Sequence, residues 1–312
     1  MLVSPVALTA TAKAQWQLHF CVLLWGFTAI LGKLISLPAL ALVWWRMLVV
    51  VLCLACVPRV WRALRAVPRR LLGIYAVIGV LVSLHWLTFY GAIKLANASV
   101  AVTCLALAPA FLAVVEPWIA RRPFDVRELL LGVAVLPGVA LVVGGVPAGM
   151  MLGIGVGALS ALLVSFFIAM NKRYAGDSDS LMVTALELGT GVLLLPLLAP
   201  LFDGGLGALL QPPQGRDAVL LMVLSLGCTL LPFTLSLVAL RQLSAFSAQL
   251  AVNLEPLYSI VLAALLLGEQ RELGLAFYAG VAVVLAAVFL HPLIARRPEL
   301  VAPDALAGDA GR

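Results

Sequence analysis

Apolar runs of similar length recur along the whole 312-residue chain and restrict its fold more than any other feature. A bilayer core about 30 Å thick is crossed by roughly 20 apolar residues in a helix that rises about 1.5 Å per residue. Of the residues, 64% are hydrophobic and 11% are charged, whereas a soluble domain has about 25% charged residues. The sequence therefore predicts an all-α membrane protein with ten transmembrane helices, at about 16–35, 39–57, 71–93, 98–119, 128–146, 150–171, 181–201, 217–239, 244–267 and 273–293.

Two related sequence blocks lie in the two halves of the chain. Residues 92–109 align with residues 239–256 when the sequence is shifted by 147 positions. The alignment pairs Ala92, Lys94, Ala98, Ala101, Leu107 and Pro109 with Ala239, Arg241, Ala245, Ala248, Leu254 and Pro256. A cation, a run of small residues and a helix proline recur in the same order, a pattern typical of carriers built from duplicated halves.

Each half contains five of the predicted spans. Because five is an odd number, the second half must enter the membrane from the opposite face, which predicts two inverted five-helix repeats. We expect an N-terminal cytoplasmic segment at 1–15, the first repeat at 16–147, the second repeat at 148–293 and a disordered cytoplasmic tail at 294–312. Residues 1–12 have no basic segment ahead of the apolar one, so we expect no cleavable signal peptide.

The cations are distributed unevenly between the two faces of this arrangement. The face with both termini holds fifteen of them: Lys13, Arg59, Arg62, Arg65, Arg69, Arg70, Arg121, Arg122, Arg127, Lys172, Arg173, Arg241, Arg296, Arg297 and Arg312. The opposite face holds four, which are Lys33, Lys94, Arg216 and Arg271. Cytoplasmic loops are enriched in Lys and Arg, so both termini are predicted to be cytoplasmic. This distribution explains the net charge of +6 and argues against nucleic-acid binding.

The chain resembles the drug/metabolite transporter superfamily, in particular its ten-helix proteins with two EamA domains. The resemblance rests on the paired blocks, on Leu267-Gly268-Glu269 after the ninth predicted span and on Gly280 in the last one. It covers about residues 16–293 and implies an alternating-access carrier of the bacterial cytoplasmic (inner) membrane, often an exporter of amino acids, metabolites or drugs. The first half departs from the family pattern, because Arg121-Arg122-Pro123-Phe124 stands where Leu-Gly-Glu is expected.

Glu255 is the leading candidate for a functional residue, because ionisable residues inside membrane spans are costly and mark functional sites. It lies eleven residues past the start of its span, which places it about 16 Å into the membrane. Pro256 removes a backbone donor and should kink the helix, and Gln249, Asn253 and Tyr258 supply polar surroundings. We predict that Glu255 binds substrate or exchanges a proton. A protonated carboxyl hydrogen-bonded to a neighbouring helix is the structural alternative.

Arg46 and Glu187 lie in the second and seventh spans, which are equivalent in the two repeats. Their depths differ by about 10 Å, so a direct salt bridge is not expected. Arg46 either binds a substrate carboxylate or extends to the membrane interface between its two flanking tryptophans. Glu187 either belongs to the site or pairs with a cation at a helix end, such as Lys172 or Arg173.

His85, Trp86 and Tyr90 form an aromatic cluster with one titratable ring in the third span. The imidazole either lines a cavity or is a buried, hydrogen-bonded histidine. Trp25 in the first span, with Thr28 just beyond it, is a further candidate for the site. No grouping of His, Cys and carboxylate residues in the sequence has metal-ligand spacing, and no Walker A sequence occurs. We therefore expect no metal, no cofactor and no hydrolysis of ATP by the chain itself.

These features predict a secondary active transporter and not an enzyme. We expect it to export small metabolites, such as amino acids or related amphipathic compounds, by alternating access, with the proton as the candidate coupling ion. A membrane-embedded enzyme would need catalytic groups clustered at one depth, and a channel-type facilitator would need a ring of charges or a filter-like loop. Both stay as alternatives. The expected partners are a small-molecule substrate and the lipid bilayer, with no nucleic acid, and we expect a monomer.

Overall fold

The structure is a computed structural model, which describes residues 10–176, 178–252 and 254–294, apart from the side chains of 245, 246, 249, 250 and 287–294. All secondary structure within these residues is helical, as predicted. The helices in chain order are α1 (Ala10–Leu34), α2 (Ala39–Ala55), α3 (Pro58–Ala66), α4 (Arg69–Leu95), α5 (Ala98–Cys104), α6 (Ala108–Ala120), α7 (Val126–Val133), α8 (Leu136–Gly144), α9 (Met151–Tyr174), α10 (Ser180–Leu198), α11 (Gly205–Leu210), α12 (Gly215–Met222), α13 (Leu231–Leu240), α14 (Ala245–Val252), α15 (Glu255–Leu267) and α16 (Leu275–Ile294). Short 3-10 turns lie at Leu105–Leu107, Ala148–Met150, Ala199–Leu201 and Glu269–Arg271, and a π-helical segment lies at Val223–Leu230.

Seven helical stretches of the described chain are long and apolar enough to cross a membrane. An eighth is obtained when α2 is joined to α3, which is bent by 90° from it. α15 and the first part of α16 are shorter apolar helices. Helix therefore lies over each of the ten predicted runs, while seven or eight of them meet the length and composition that a crossing requires.

Two helices lie where the sequence analysis placed loops. α3 lies in the connection at 58–70 and α11 in the connection at 202–216. α3 is amphipathic, because Val60 is buried whereas Arg59, Arg62 and other polar residues are exposed. Its nine residues are too few to be found by a criterion of roughly 20 apolar residues. A basic amphipathic helix of this kind lies along a membrane surface.

Two equivalent helical regions are interrupted at the repeated prolines. In the first half, α5 passes through the turn at Leu105–Leu107 into α6, whose second residue is Pro109. In the second half, α14 ends at Val252 and α15 begins at Glu255, with Pro256 as its second residue. Each proline lies in the first turn of a helix, where its missing N–H removes no helical hydrogen bond. The kinks at Pro109 and Pro256 stay predictions.

The pairing of helices repeats between the two halves of the chain. α4 of the first half packs along α9 of the second half, and their equivalents, α13 of the second half and α1 of the first, pack along each other. α6 packs against α9, and α15 packs against α1 in the corresponding way. The pairs α8–α16 and α2–α10 join equivalent helices of the two halves. Equivalent helices of the two halves therefore have equivalent neighbours.

The outer surface of the bundle is apolar. Leu193, Leu197 and Leu265 each expose about three quarters of their surface, at 75%, 76% and 76%. Apolar patches of this extent are rare on soluble monomers, and here they form the surface expected to face lipid. Inside the bundle, Gly138 of α8 lies against the backbone of Gly280 in α16, where a Cβ atom would meet the Gly280 carbonyl oxygen at 2.7 Å. Small residues at such crossings allow membrane helices to approach closely.

The second half is tied to the first by a contact that we call the Glu269 clasp. The Glu269 carboxylate is 2% exposed and accepts hydrogen bonds from the backbone N–H groups of Ala98 (3.1 Å) and Ser99 (3.0 Å). It also accepts one from the Ser99 hydroxyl, at 2.7 Å. These donors belong to the first turn of α5, where backbone N–H groups lack helical partners and the helix dipole favours an anion. The clasp therefore closes the bundle at the end where α5 begins.

Candidate functional site

A cavity of about 100 Å³ lies inside the bundle, beside the interruptions of the two broken stretches. Its lining side chains come from α1, α2, α4, α9, α13, α14 and α15 and from Leu105. At ~10–15 Å³ for each ordered water, a cavity of this size holds roughly seven to ten waters. One small organic molecule fits such a space, whereas a polymer does not.

Aromatic side chains form much of the cavity wall: Trp25, Trp86, Phe89, Phe167 and Phe233. The Phe233 ring meets the Trp86 ring edge-on, with 6.0 Å between centroids, and lies 5.6 Å from the Phe167 ring. A largely apolar wall with a few polar groups is the usual form of a small-molecule site. The wall therefore suits the apolar part of an amphipathic ligand.

Arg46 is the buried cation of the cavity, with 2% of its surface exposed. Its Nε donates to the Thr229 hydroxyl at 2.6 Å, and its Nη1 donates to the Tyr90 hydroxyl at 2.7 Å. Its guanidinium carbon lies 3.8 Å from the centre of the Trp86 ring. These partners are neutral, and no carboxylate of the described residues lies within ion-pairing distance. The guanidinium points inward, so it does not extend to the membrane interface, which was one of its two predicted roles.

Glu255 is the buried carboxyl group of the same cavity, at 5% exposure. It is the first residue of α15, so its carboxylate lies at a helix N-terminus, where the helix dipole favours negative charge. The described part of the chain offers it no salt bridge. The hydrogen bond to a neighbouring helix that the structural alternative requires is also not found there. A buried carboxyl group without a direct hydrogen-bonded ion pair can gain one from a cationic group of a ligand.

His85 lines the cavity and is also hydrogen-bonded, so both of its predicted environments occur together. Its Nδ1 lies 3.0 Å from the Ser160 carbonyl oxygen. The Ser160 hydroxyl in turn donates to the His85 carbonyl oxygen at 3.0 Å. The Ser160 hydroxyl also lies 2.7 Å from Nδ1, so this nitrogen faces both a carbonyl acceptor and a hydroxyl that can donate, and both neutral tautomers fit the site.

Three of the predicted site residues lie away from the cavity wall. Tyr90 is fully buried beside Arg46 and positions its guanidinium. Tyr258 is 36% exposed and packs its Cβ against Gly26 of α1. Glu187 is fully buried in α10 and forms no ion pair within the described ranges. Lys172, one of its predicted partners, donates instead to the Leu240 carbonyl oxygen at 2.7 Å.

The remaining predicted site residues are Asn253, Gln249 and the two repeated prolines. Asn253 lies outside the described residues, and so does the side chain of Gln249, so their roles stay predictions. Pro109 and Pro256 are buried at the starts of α6 and α15.

Thr229 is a site residue that the sequence analysis did not identify. It lies in the π-helical segment, where its hydroxyl donates to the Leu224 carbonyl oxygen at 2.6 Å and accepts from Arg46. π-Helical turns are rare and are found disproportionately at functional sites. A lone threonine in an apolar run gives no local signal of this role. Only the fold brings it to Arg46, which lies 183 residues earlier in the chain.

The cavity extends toward the end of the bundle that lies away from the Glu269 clasp. Its wall there includes Leu18 early in α1, Leu240 at the end of α13 and Ala248 in the first turns of α14. The residues 10–176, 178–252 and 254–294 contain no group of three or more His, Cys, Asp or Glu side chains that could hold a metal ion. The chemistry of the site is therefore that of one guanidinium, one carboxylate, one imidazole and aromatic rings.

Comparisons with known proteins agree with this fold. Fourteen chains of solved structures match, and one of them, described only as a crystal structure of a protein, has a TM-score of 0.64 over 92% of this chain and 99% of that one. The two sequences are 18% identical, so the likeness shows the fold alone. A comparison with curated proteins gave no significant match.

The sequence also matches a family model twice, over residues 15–144 and over residues 151–291. The two matches together span nearly all of the helical bundle and fall on the two halves that the repeated blocks and the helix pairing relate to each other. The chain is therefore a multi-pass membrane protein that belongs to the EamA-like transporter family.

Proposed function

We propose that this protein is a secondary active transporter that exports a small amphipathic metabolite from the cytoplasm by alternating access. The observation that carries the proposal is the cavity in which Arg46 and Glu255 lie buried, with no direct ion pair to either of them among the described residues. Membership of a transporter family supports the general class of function. An amino acid, or a compound related to one, is the substrate that this cavity suits best.

The charges of the cavity explain this choice of substrate. The Arg46 guanidinium presents a planar set of donors that fits a carboxylate, and two of its nitrogens are already held by neutral hydroxyls. Glu255 supplies the complementary anion for an ammonium group. A ligand that carries both groups neutralises two buried charges at once, and its apolar part packs against the aromatic wall.

Ten membrane crossings with both termini in the cytoplasm complete the proposal. Helix covers all ten predicted runs, and the repeated helix pairing supports two halves of opposite orientation. In that orientation the cavity extends toward the cytoplasm, and the Glu269 clasp closes the outer end. Single cysteines at Gly149 and Ala66 in a cysteine-free background test the orientation: an impermeant thiol reagent outside intact cells should label only the first.

Transport by the purified full-length chain in liposomes tests the function directly. We would offer radiolabelled amino acids, sugars and cationic dyes, one class at a time. A carrier gives a rate that saturates with concentration and is stimulated by unlabelled substrate on the opposite side. Flux that neither saturates nor shows counterflow would identify a channel and contradict the proposal.

Variants of the two buried charges test the recognition mechanism. Glu255→Gln should lower the uptake of an amino acid at low concentration by about 30-fold or more, because a buried charge interaction is worth roughly 2 kcal/mol or more. Uptake of an analogue that lacks the amine should not change in Glu255→Gln. Uptake of an analogue that lacks the carboxylate should not change in Arg46→Gln.

The exposed carboxylate of Asp203 provides the matched control, and Asp203→Asn should transport at the wild-type rate. If Glu255 instead exchanges protons, its Gln variant loses only gradient-driven transport and keeps counterflow. A Glu255→Gln variant with unchanged rates in both assays would show that the residue is structural.

A further inference from the structure

Glu187 and Asn171 form a second buried polar site that the cavity does not include. Glu187 is 0% exposed in α10, and Asn171 is 1% exposed near the end of α9. The Asn171 side chain is the polar group that acts on the Glu187 carboxylate. Even so, both carboxylate oxygens and both amide atoms lack a hydrogen bond of good geometry among the described residues. Four buried polar atoms without a hydrogen-bond partner require an explanation.

A proton on Glu187 would satisfy this site. The protonated carboxyl donates its O–H to the Asn171 Oδ1 atom, and its carbonyl oxygen accepts from the Asn171 Nδ2 atom, so that a cyclic pair of hydrogen bonds forms. The ionised carboxylate can accept only from Nδ2, and its other oxygen then faces Oδ1, which is also an acceptor. The amide therefore complements the protonated form. A metal ion would find one carboxylate and one amide oxygen here, whereas hard cations take about six oxygen ligands.

The charged groups of the neighbouring helices do not replace the proton. Tyr75 on α4 is the titratable side chain whose charge interacts with Glu187. Arg59 on α3 is paired with Asp179 at the start of α10, and Arg46 on α2 is held by Thr229 and Tyr90. Other charged side chains of these elements are turned elsewhere. Those of Arg62, Arg65, Arg69 and Arg70 are exposed, and Arg241 after α13 donates to Ser178 and Ser180. On α9, Lys172 donates to the Leu240 carbonyl oxygen, and Arg173 lies over the Tyr174 ring.

Tyr75, whose charge interacts with Glu187, is hydrogen-bonded to residues near the surface. The Tyr75 hydroxyl lies 2.8 Å from the Ser178 hydroxyl and 2.9 Å from the Tyr174 carbonyl oxygen. Ser178 lies in the connection between α9 and α10, next to the exposed Arg241 side chain. Glu187 is the eighth residue of α10, about 10 Å from the start of that helix. A proton can pass along hydroxyl groups over such a distance, whereas a metabolite cannot.

The site is also in contact with the helices that carry the substrate cavity. Gly79 of α4 packs on the backbone of Glu187 itself. One turn further along α10, Gly191 packs against Met47, which follows Arg46, and against Ser83, which precedes His85 by two residues. A charge on Glu187 would draw water between α4 and α10 and loosen this packing, because a buried carboxylate is costly without solvation. Protonation can therefore bias the arrangement of the cavity helices.

We propose that Glu187 and Asn171 form a proton-binding site, distinct from the substrate cavity, through which a proton gradient drives transport. The inference rests on the proposed transport function for its coupling role, and on the geometry of the two side chains for proton binding. It assigns the proton to Glu187 and leaves Glu255 to bind the substrate.

The coupling role is tested with the full-length protein in liposomes. Glu187→Gln keeps the size of the side chain and can form the same paired hydrogen bonds with Asn171, but it cannot lose a proton. Transport driven by a pH gradient should fall by about tenfold or more, while exchange of labelled for unlabelled substrate without a gradient changes by less than about twofold. Asp203→Asn is the control and should behave as the wild type. Gradient-driven transport that survives in Glu187→Gln, or that follows a sodium gradient instead, would overturn the proposal.

Proton binding is tested separately by infrared difference spectroscopy during a pH titration, which requires no substrate. The wild type should show the carbonyl stretch of a protonated carboxyl group that disappears at high pH, and Glu187→Gln should lack this band. Asn171→Ser removes the amide partner of the protonated form, so the band should disappear at a lower pH. This second variant also decides the question if Glu187→Gln does not fold. A wild type that transports nothing would contradict the proposed function, and a missing band would contradict the proton site.

Discussion

The helices that follow the two interruptions, α6 and α15, end in the same backbone conformation. The residues after their caps carry opposite charges. α6 is capped by Arg121 and α15 by Gly268, both left-handed, with φ of 54° and 72°. The two positions are related by the same shift of 147 residues that aligns the sequence blocks. The next residue is Arg122 in the first half and Glu269 in the second. A duplicated backbone therefore carries opposite charges at equivalent corners.

The two charges have different partners. Glu269 crosses to the first turn of α5 in the other half, whereas Arg122 bonds to Glu116 at 3.2 Å in its own half and to Glu128 of α7. Burial opposes a higher pKa for Arg122, but these two carboxylates outweigh it and raise the pKa. The equivalent start of α14 is capped by its own Ser244, whose hydroxyl accepts from the Ser247 N–H at 3.0 Å.

Glu269 therefore bonds across the two halves at its corner, whereas Arg122 bonds within its own half at the equivalent corner. The end of the bundle near Arg122 is joined across the halves elsewhere, by the ion pair of Arg59 with Asp179 and by the hydrogen bonds of the Tyr75 hydroxyl. The cavity extends toward that end. Unequal closures at the two ends give a carrier a preferred resting state, because the two access states then differ in energy.

Removal of the clasp should have the largest effect. Glu269→Ala leaves two buried backbone N–H groups and the Ser99 hydroxyl without their acceptor, a loss of about 2–4 kcal/mol for hydrogen bonds to a charged group. We expect a lower melting temperature in detergent. We also expect faster thiol labelling of a single cysteine at Leu273, which is buried beside the clasp.

Arg122→Ala is the matched control at the equivalent corner. The Arg122 side chain is 27% exposed, and its ion pairs lie within one half, so we expect a loss of no more than about 1 kcal/mol. Labelling at Leu273 should not change. An equal loss of stability in both variants would show that the two corners are equivalent and would remove the basis of the comparison.

The sequence predicted the helices better than it predicted this asymmetry, for a physical reason. A span is a local property of composition, so the run predicted at 150–171 closely matches the helix found at Met151–Tyr174. The interruptions were also predictable in position, because Pro109 and Pro256 act on their own backbone. The clasp joins residues 171 positions apart, and no local pattern encodes such a contact.

Some residues of the site could likewise be identified from the sequence, whereas others could not. Glu255 and Arg46 could be identified as candidates because any charge inside a span is unusual. Their positions in one cavity depend on how seven helices pack. Thr229 could not be identified from the sequence, because threonine is common in apolar runs. Its role depends on the hydrogen bond that its hydroxyl accepts from the Arg46 Nε atom.

The left-handed caps provide a smaller test of the same comparison. Gly268→Ala places a Cβ at φ 72°, which costs about 1 kcal/mol, because only glycine adopts this region without strain. The clasp residue follows directly, so any shift of the cap also moves Glu269. We expect a modest fall in melting temperature together with faster labelling at Leu273. A fall in melting temperature with unchanged labelling would show that the cap and the clasp act independently.

The smallest expected effect comes from the opposite change in the first half. Arg121 is the only non-glycine residue of the described chain with a positive φ, so Arg121→Gly relieves strain at the end of α6. Glycine also gains freedom in the unfolded chain, which offsets part of the gain, and the net stabilisation should be about 0.5 kcal/mol. The melting temperature should rise slightly, and labelling at Leu273 should stay the same because Arg122 holds no contact across the halves. If the variant instead slows labelling at Leu273, then the first corner also controls closure at the far end, and the two ends of the bundle are coupled through α6 and α9.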